Sequence, residues 1–216
     1  MCFKKIGITF IYTFCIIFSI HAQEHDNESP SEYNFNAKNF IIEGEVFFNS
    51  LKRDEISQND KEFIFQAKIG YFVTNNFVMG TSLRYHYAST TYNSIDNIKV
   101  RSKLNDYSLG IFARYYILKI GKRFNVYAQA NISYSGGKSV PSNQLGTYNV
   151  DRTNFSSDLG INYFVTPKIA VSFNLINVID YRINRNKYNN WNEFNLNLNK
   201  FNNPFDTPTF GLTFIL

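Results

Sequence analysis

Apolar and polar residues alternate along most of the chain, and this alternation is its main structural signal. Every second residue is apolar from Phe63 to Val73, and the same holds from Phe77 to Tyr87 apart from Thr81. A period of two residues is typical of β-strands that have two different faces, and helical periodicity is missing. The pattern predicts eight strands, at 42–49, 63–73, 77–87, 106–117, 124–134, 155–165, 169–175 and 210–216.

The predicted connections between these strands alternate in length. Three are tight turns, at 74–76, 118–123 and 166–168. Four are long and polar, at 51–61, 88–103, 136–152 and 178–204. In an antiparallel sheet with an up-and-down strand order, all tight turns then lie at one end and all long connections at the other.

The two faces of the predicted strands differ in a way that suits a membrane. The strands run about 11 residues, which matches the 9 to 11 residues that cross a bilayer at a tilt of ~45°. Their apolar faces end in Tyr or Phe at both ends, whereas their other faces are rich in Gly, Ser, Asn and charge. An apolar band between aromatic girdles around a polar lumen is typical of a transmembrane barrel. The sequence therefore predicts an all-β protein, an eight-stranded antiparallel up-and-down transmembrane β-barrel.

The N-terminal segment differs from the rest of the chain. Lys4 and Lys5 precede an uncharged run from Ile6 to Ile20, and His21-Ala22-Gln23 follows. This layout predicts a secretory signal peptide at 1–22 with cleavage after Ala22, and a retained anchor is the alternative. We expect a polar leader at 23–38 and a barrel domain at 39–216. After residue 22 no stretch is apolar for long enough to form a membrane-spanning helix.

Residues 39–216 resemble the small eight-stranded outer-membrane β-barrel family, of the OmpX and OmpA transmembrane-domain type. The C-terminal residues 209–216 resemble the insertion signal of that family, with Thr209, Gly211, Phe214 and Leu216 at its defined positions. Leu216 is a mild departure, because Phe is usual there. The resemblance implies a bacterial outer-membrane location, short periplasmic turns and long extracellular loops. It also implies two partners, the outer-membrane lipid and the barrel-insertion machinery.

Composition adds several exclusions. Both cysteines lie inside the predicted signal peptide, so no disulfide is expected after cleavage. The sequence pI of about 9.1 comes from scattered Lys and Arg, and no nucleic-acid partner is expected. Too few His and Cys residues remain for a metal site, and no cofactor motif occurs. His86 and Ser82 share one strand face but lie about 13 Å apart, so no catalytic residue is assigned.

The predicted lumen carries seven charged residues of both signs, namely Glu43, Glu45, Lys68, Arg84, Asp106, Arg114 and Asp158. The near-balance of positive and negative charges favours ion pairs that close the narrow interior of an eight-stranded barrel. A turn centred on Asn75 places Gln66 opposite Arg84 and Lys68 opposite Ser82, and we expect Glu45 to reach Lys68. Simple hydration of scattered polar side chains is the alternative.

These features favour a non-enzymatic outer-membrane barrel that is structural or acts through its extracellular loops. The segment 184–191 combines Asn with aromatic residues, which suit contact with an extracellular protein or glycan. A porin-like conduit for small solutes is the first alternative, and a lipid-modifying enzyme is the second.

Overall fold

A computed structural model describes residues 33–53, 58–93, 99–140, 146–185, 190–197 and 209–216. The predicted signal peptide lies outside the described residues, as does the leader up to residue 32. The described residues form nine β-strands, which are β1 (Phe40–Arg53), β2 (Gln58–Thr74), β3 (Phe77–Asn93), β4 (Lys99–Ile120), β5 (Phe124–Val140), β6 (Tyr148–Thr166), β7 (Ile169–Arg185), β8 (Asn190–Leu196) and β9 (Thr209–Ile215). Within this part of the chain, no helix is both long and apolar enough to cross a membrane.

Eight of the strands close into a ring. Each of β1 to β7 pairs antiparallel with the next strand in the chain, and β9 pairs with both β7 and β1. The closing register places Ile41 opposite Ile215 and Ile42 opposite Phe214. The predicted all-β, up-and-down, eight-stranded barrel is confirmed.

The apolar positions of the alternation face outward. Ile111 and Leu109 are 58% and 62% exposed, whereas Ser108, which precedes Leu109, is buried inside the ring. The same outer face carries many other large apolar side chains, including Phe40, Ile42, Leu83, Met79, Ile117, Ile132, Phe210 and Leu212. Water would disfavour so large an apolar surface, so this belt is suited to lipid.

The strands are longer than the alternation predicts. Strands β1 to β7 contain 14 to 22 residues, and they extend into all four segments that the sequence predicts as long connections. The β3–β4 hairpin, for example, is paired as far as Asn93 and Lys99. In the extension of the β3–β4 hairpin few apolar residues remain, so the period of two weakens there although the backbone pairing continues.

The segment 178–204 departs most from its prediction as a connection. Strand β7 continues through it to Arg185, and β8 pairs with Ile179–Arg185 of β7. Strand β9 pairs with the opposite end of β7, at Ile169–Asn174. Two short strands thus lie beside the one long β7, and the sequence predicts only the second of them.

The three tight turns lie where they are predicted. Strand β2 ends at Thr74 and β3 begins at Phe77, and the hydroxyl of Thr74 accepts a hydrogen bond of 3.3 Å from the Asn76 amide. Thr166 makes the equivalent bond with the Lys168 amide, also at 3.3 Å. A hydroxyl that accepts from the amide two residues later stabilises a turn, and this explains the Thr residue at both positions.

Candidate functional site

The carboxylate of Glu43 lies at the centre of a buried polar network inside the barrel. Arg114 donates to both of its oxygens, from Nη2 to Oε1 at 2.6 Å and from Nη1 to Oε2 at 2.9 Å. Lys68 Nζ lies 3.0 Å from Oε1. The hydroxyls of Ser172 and Thr213 donate to Oε2 at 2.9 and 2.6 Å. Glu43 and Arg114 are fully buried, and a forked, charge-assisted pair is the geometry that compensates best for such burial.

The network extends from Glu43 to its neighbours on other strands. Lys68 Nζ also donates to Glu45 Oε1 at 2.6 Å, so one ammonium joins two carboxylates. Arg114 Nε donates to Gln129 Oε1 at 2.7 Å, and its guanidinium lies 4.2 Å from the centre of the Tyr127 ring. These contacts tie β1, β2, β4 and β5 together across the lumen and leave the cations and anions compensated.

An aromatic cluster fills the lumen at the end with the tight turns. Phe35 stacks on Phe72 and Tyr116, with ring centroids 4.8 and 4.2 Å apart, and contacts Phe164 at 4.9 Å. All four rings are at most 5% exposed. The sequence predicts a polar inner face, and at this end of the barrel that prediction is wrong. Aromatic side chains can face inward here because the leader supplies apolar contacts to cover them.

The leader residues 33–38 are held in the mouth of the barrel by polar contacts as well. Arg123 Nη2 donates to the Tyr33 hydroxyl at 3.1 Å, and its guanidinium lies 4.7 Å from the Tyr33 ring centre. Lys119 Nζ donates to the carbonyl oxygen of Tyr33 at 3.1 Å and to Asn34 Oδ1. The Lys38 amide donates to the Phe72 carbonyl, at 2.8 Å, from a left-handed backbone with φ of 74°.

The other half of the lumen contains a polar cavity of about 410 Å³. Glu45 and Lys68 form part of its boundary with the buried network. On its wall, the carboxylate of Asp158 accepts from Asn131 Nδ2 at 2.6 Å and from Asn177 Nδ2 at 2.7 Å. The cavity thus lies on the side of the closed layer of charge pairs that is farther from the tight turns.

His86 lies between two carboxylates near the middle of β3. Its Nδ1 is 3.3 Å from Asp106 Oδ2, and its Nε2 is 3.1 Å from Glu62 Oε1. Both ring nitrogens are therefore engaged, which leaves neither to activate Ser82. In the described part of the chain, no group of three or more His, Cys, Asp or Glu side chains could hold a metal ion.

The structure brings four of the seven predicted lumen residues together, namely Glu43, Glu45, Lys68 and Arg114. The other three lie apart from that network. Asp106 contacts His86, Asp158 is held by amide groups, and Arg84 faces the cavity. The expected register is present, with Gln66 opposite Arg84 and Lys68 opposite Ser82.

Sequence reasoning missed the partners that complete the network and the aromatic cluster. Ser172, Thr213 and Gln129 are ordinary lumen positions in the sequence. Ring closure brings Ser172 and Thr213 to Glu43, whereas the register of the β4–β5 hairpin places Gln129 opposite Arg114. Phe35 lies in a segment with no alternation. The one available signal is the pair Tyr33 and Phe35, two aromatic residues in an otherwise polar leader.

The four residues of the C-terminal motif lie in or next to β9. Thr209 lines the cavity, and Gly211 faces the lumen where a Cβ would lie 2.8 Å from Glu45 Cγ. Phe214 and Leu216 face outward and are 43% and 68% exposed. The motif therefore combines two outward apolar residues with a small residue that leaves room for Glu45.

Comparison with known proteins gives a consistent result for the fold. The family described as outer membrane protein beta-barrel domain matches residues 10–199. None of the curated protein sequences compared with the chain matches it. Among solved structures, the outer membrane protein OprG from Pseudomonas aeruginosa is 12% identical, with a TM-score of 0.51 over 84% of this chain and 91% of that one. Neisserial surface protein A is 13% identical, with a TM-score of 0.45 over 82% and 96%. The similarity to OprG supports the fold alone.

Proposed function

The chain belongs to the outer membrane protein β-barrel domain family, and we propose that it is a sealed, non-enzymatic barrel that acts at its extracellular side. Membership of the family implies a location in the bacterial outer membrane. Export with cleavage after Ala22 stays a prediction. The proposal includes the outer-membrane lipid around the apolar belt and the barrel-insertion machinery as partners.

The observation that carries the proposal is the double closure of the lumen. The Glu43 network crosses the barrel at one level, and the aromatic cluster with Phe35 fills the lumen below it. An ion that crosses would have to separate a buried forked ion pair and displace a packed ring, and both steps are costly. A sealed interior leaves the outer surface and the outer cavity as the parts that can act.

The extracellular half of the barrel supports an interaction role. Strands β3 and β4 remain paired beyond the aromatic girdle, from Ala88 and Leu104 to Asn93 and Lys99. A paired hairpin presents side chains at fixed positions, which lowers the entropic cost of binding an extracellular protein or glycan. Of the aromatic segment 184–191, residues 186–189 lie outside the described residues.

The interaction role can be tested with a shortened hairpin. Joining Ala88 to Leu104 through an Asn-Gly turn removes the paired extension and keeps a turn type that suits a hairpin. We expect the intact protein in lipid nanodiscs to bind members of a glycan array or a panel of extracellular matrix proteins, and the shortened protein to lose that binding. Equal binding by both proteins would argue against this hairpin as the contact surface.

A porin-like conduit is the second candidate, and the outer cavity is the observation that favours it. Single-channel recording of the reconstituted protein separates the two candidates. We expect little or no conductance from the wild type. Lys68→Ala leaves Glu45 less compensated and should produce brief openings, whereas Lys122→Ala, at an exposed turn, should behave as the wild type. Large and steady wild-type conductance would favour the conduit.

A lipid-modifying enzyme is the weakest candidate, because the two carboxylates around His86 already engage its ring. Mass spectrometry of lipid A from cells with and without the protein tests this alternative directly. We expect identical lipid A in both strains. A mass difference that depends on His86 would contradict the non-enzymatic proposal.

A further inference from the structure

The outer cavity differs from a simple water-filled lumen in the chemistry of its wall. Neutral amide and hydroxyl side chains form most of that wall, and Ile176 is one of two apolar residues that line it. Its volume of about 410 Å³ falls within the range of roughly 300 to 1,000 Å³ that is usual for small-molecule sites. A wall of hydrogen-bonding groups suits a ligand that carries many hydroxyls.

Four buried polar atoms of the cavity-lining residues have no hydrogen-bond partner within the described part of the chain. They are Arg84 Nε, Asn154 Oδ1, Asn174 Oδ1 and Asp180 Oδ1, of which the last lies 2.7 Å from Arg182 Nε in an ion pair. A buried polar atom without a partner is costly, so natural proteins rarely keep one without a reason. The residues Arg84, Asn154 and Asn174 line the same cavity. A ligand that satisfied their free atoms would have to offer an acceptor to Arg84 and donors to the two amide oxygens.

The charged groups of the wall are satisfied apart from Arg84. Lys68 contacts Glu43 and Glu45, and Arg182 Nε lies 2.7 Å from Asp180 Oδ1. Asp158 accepts from two amide groups. Of the cations that line the cavity in the described residues, Arg84 alone has no carboxylate oxygen within 4.0 Å.

Charged groups of both signs lie around Arg84 at longer range. The carboxylates of Asp106 and Glu62 attract it, and the guanidiniums of Arg152 and Arg182 repel it. Both carboxylates already contact His86. The charge on Arg84 itself is thus the one that a bound group would have to match, and one negative charge is enough.

We infer that the outer cavity binds a small hydroxylated monocarboxylate, of the sugar-acid class, with its carboxylate on Arg84. A guanidinium presents donors in the planar arrangement that a carboxylate accepts. Hydroxyls of the ligand donate to Asn154 and Asn174. A phosphate dianion fits less well, because its second negative charge would be buried without a cation. The inference deepens the proposed function and rests on it, because the closed layer below the cavity retains the ligand on the outer side.

The experiment uses the full protein in lipid nanodiscs and isothermal titration calorimetry with glucuronate as the probe. Glucose, glucosamine and glucose 6-phosphate serve as the neutral, cationic and dianionic matches. We expect glucuronate to bind at least tenfold more tightly than each of the other three. Arg84→Gln keeps a side chain of similar length without the charge and should remove the preference over glucose. Arg53→Gln, at an exposed position outside the cavity, should keep it.

Several outcomes would overturn the inference. They are the absence of glucuronate binding at millimolar concentration, equal binding of glucuronate and glucose by the wild type, and unchanged preference in Arg84→Gln. The wild-type comparison stands even if Arg84→Gln fails to fold. Steady conductance would refute the sealed barrel, whereas a sealed barrel that does not bind glucuronate refutes this inference alone.

Discussion

At the scale of single residues, the interior depends on Glu43 more than on any other described side chain. Its two carboxylate oxygens accept from Arg114, Lys68, Ser172 and Thr213, which come from four different strands. The neighbouring position of Tyr127 depends on Gly160, because a Cβ there would overlap the tyrosine ring. Charge pairing and close packing are therefore coupled in one layer of the barrel.

Glu43→Gln should destabilise the folded barrel by about 3 to 5 kcal/mol, because it leaves the buried guanidinium of Arg114 without its anion. Glu193→Gln is the matched control. Its ion pair with Arg182 is long, at 3.8 Å, and both side chains are 41% exposed, so its loss should cost about 0 to 1 kcal/mol. Urea titration of the reconstituted proteins, followed by tryptophan fluorescence, measures both. Equal destabilisation would mean that Glu43 is not the centre of the network.

A second prediction at the scale of residues concerns a charge on the outer face. Ile111→Arg places a charge on the lipid-facing side of β4 and should cost about 2 to 4 kcal/mol near the bilayer midplane. Ser108→Ala, on the lumen side of the same strand, should cost only about 0.5 to 1.5 kcal/mol, for its hydrogen bond of 2.6 Å to Ser135. Refolding titrations into lipid vesicles compare the two. The reverse order would mean that the inner and outer faces are exchanged.

At the scale of elements, the N-terminal leader and the last strand, β9, complete the barrel. Residues 33–38 enter the lumen mouth, and β9 joins β7 to β1. Each of these two elements contacts residues that lie far away in the chain. The Tyr33–Phe164 ring contact, with centroids 6.2 Å apart, is an example.

Phe35→Ala should destabilise the protein by about 3 to 5 kcal/mol, the usual cost of removing a buried aromatic ring. Phe48→Ala removes the same ring from a position that is 68% exposed on the outer face, and its cost should be smaller in detergent. Thermal unfolding by circular dichroism measures the difference. We also expect Phe35→Ala to remain non-conducting, since the Glu43 network still closes the lumen. Similar melting temperatures for the two variants would show that Phe35 does not seal the mouth.

Deleting Phe214 to Leu216 should prevent assembly. The deletion removes Ile215 and Phe214, which pair with Ile41 and Ile42 and close the ring. Without them, backbone N–H and C=O groups at the seam would have no partners in hydrocarbon. Fractionation of cells that express the truncated chain should find it degraded or outside the outer membrane. Normal insertion would show that neither the closing pairs nor the proposed insertion signal is needed.

At the scale of the whole molecule, the barrel has a lipid-facing belt, a closed lower lumen and an open upper cavity. The inward-facing residues differ along the barrel. These residues are aromatic next to the tight turns, charged at the level of Glu43, and mostly neutral and polar beyond that level. The outer face, by contrast, carries exposed large apolar side chains on β1 to β6 and β9, and half-buried ones on β7.

This architecture predicts a heat-modifiable outer-membrane protein. A closed ring of antiparallel strands resists detergent until it is heated, so unboiled samples should migrate differently from boiled samples in a denaturing gel. Ile111→Arg offers a comparison, because a less stable barrel should lose the shift at lower temperature. Recovery of the wild type in the soluble periplasmic fraction would contradict a membrane barrel.

The sequence by itself determines the eight strands of the ring, their order and the alternation of their two faces. A strand with one face in lipid and one in the lumen must alternate, so Phe63 to Val73 and Phe77 to Tyr87 reveal both strands and faces. Turn residues such as Thr74 and Thr166 also mark the tight connections, because a hydroxyl that accepts from the amide two residues later stabilises a turn locally. The register of Gln66 with Arg84 also follows, because a tight turn sets the pairing of its strands.

Only the tertiary structure decides which lumen residues meet and how far the barrel extends. Glu43 contacts Arg114, Ser172 and Thr213 because closure of the ring brings distant strands together, and no local pattern encodes that distance. Strand β8 carries only a short alternation, with Phe194 and Leu196 outward against Asn195, and its pairing with the far half of β7 is visible only in the structure. The insertion of Phe35 depends on a pocket formed by side chains from β2, β4 and β6, and local sequence carries no record of it.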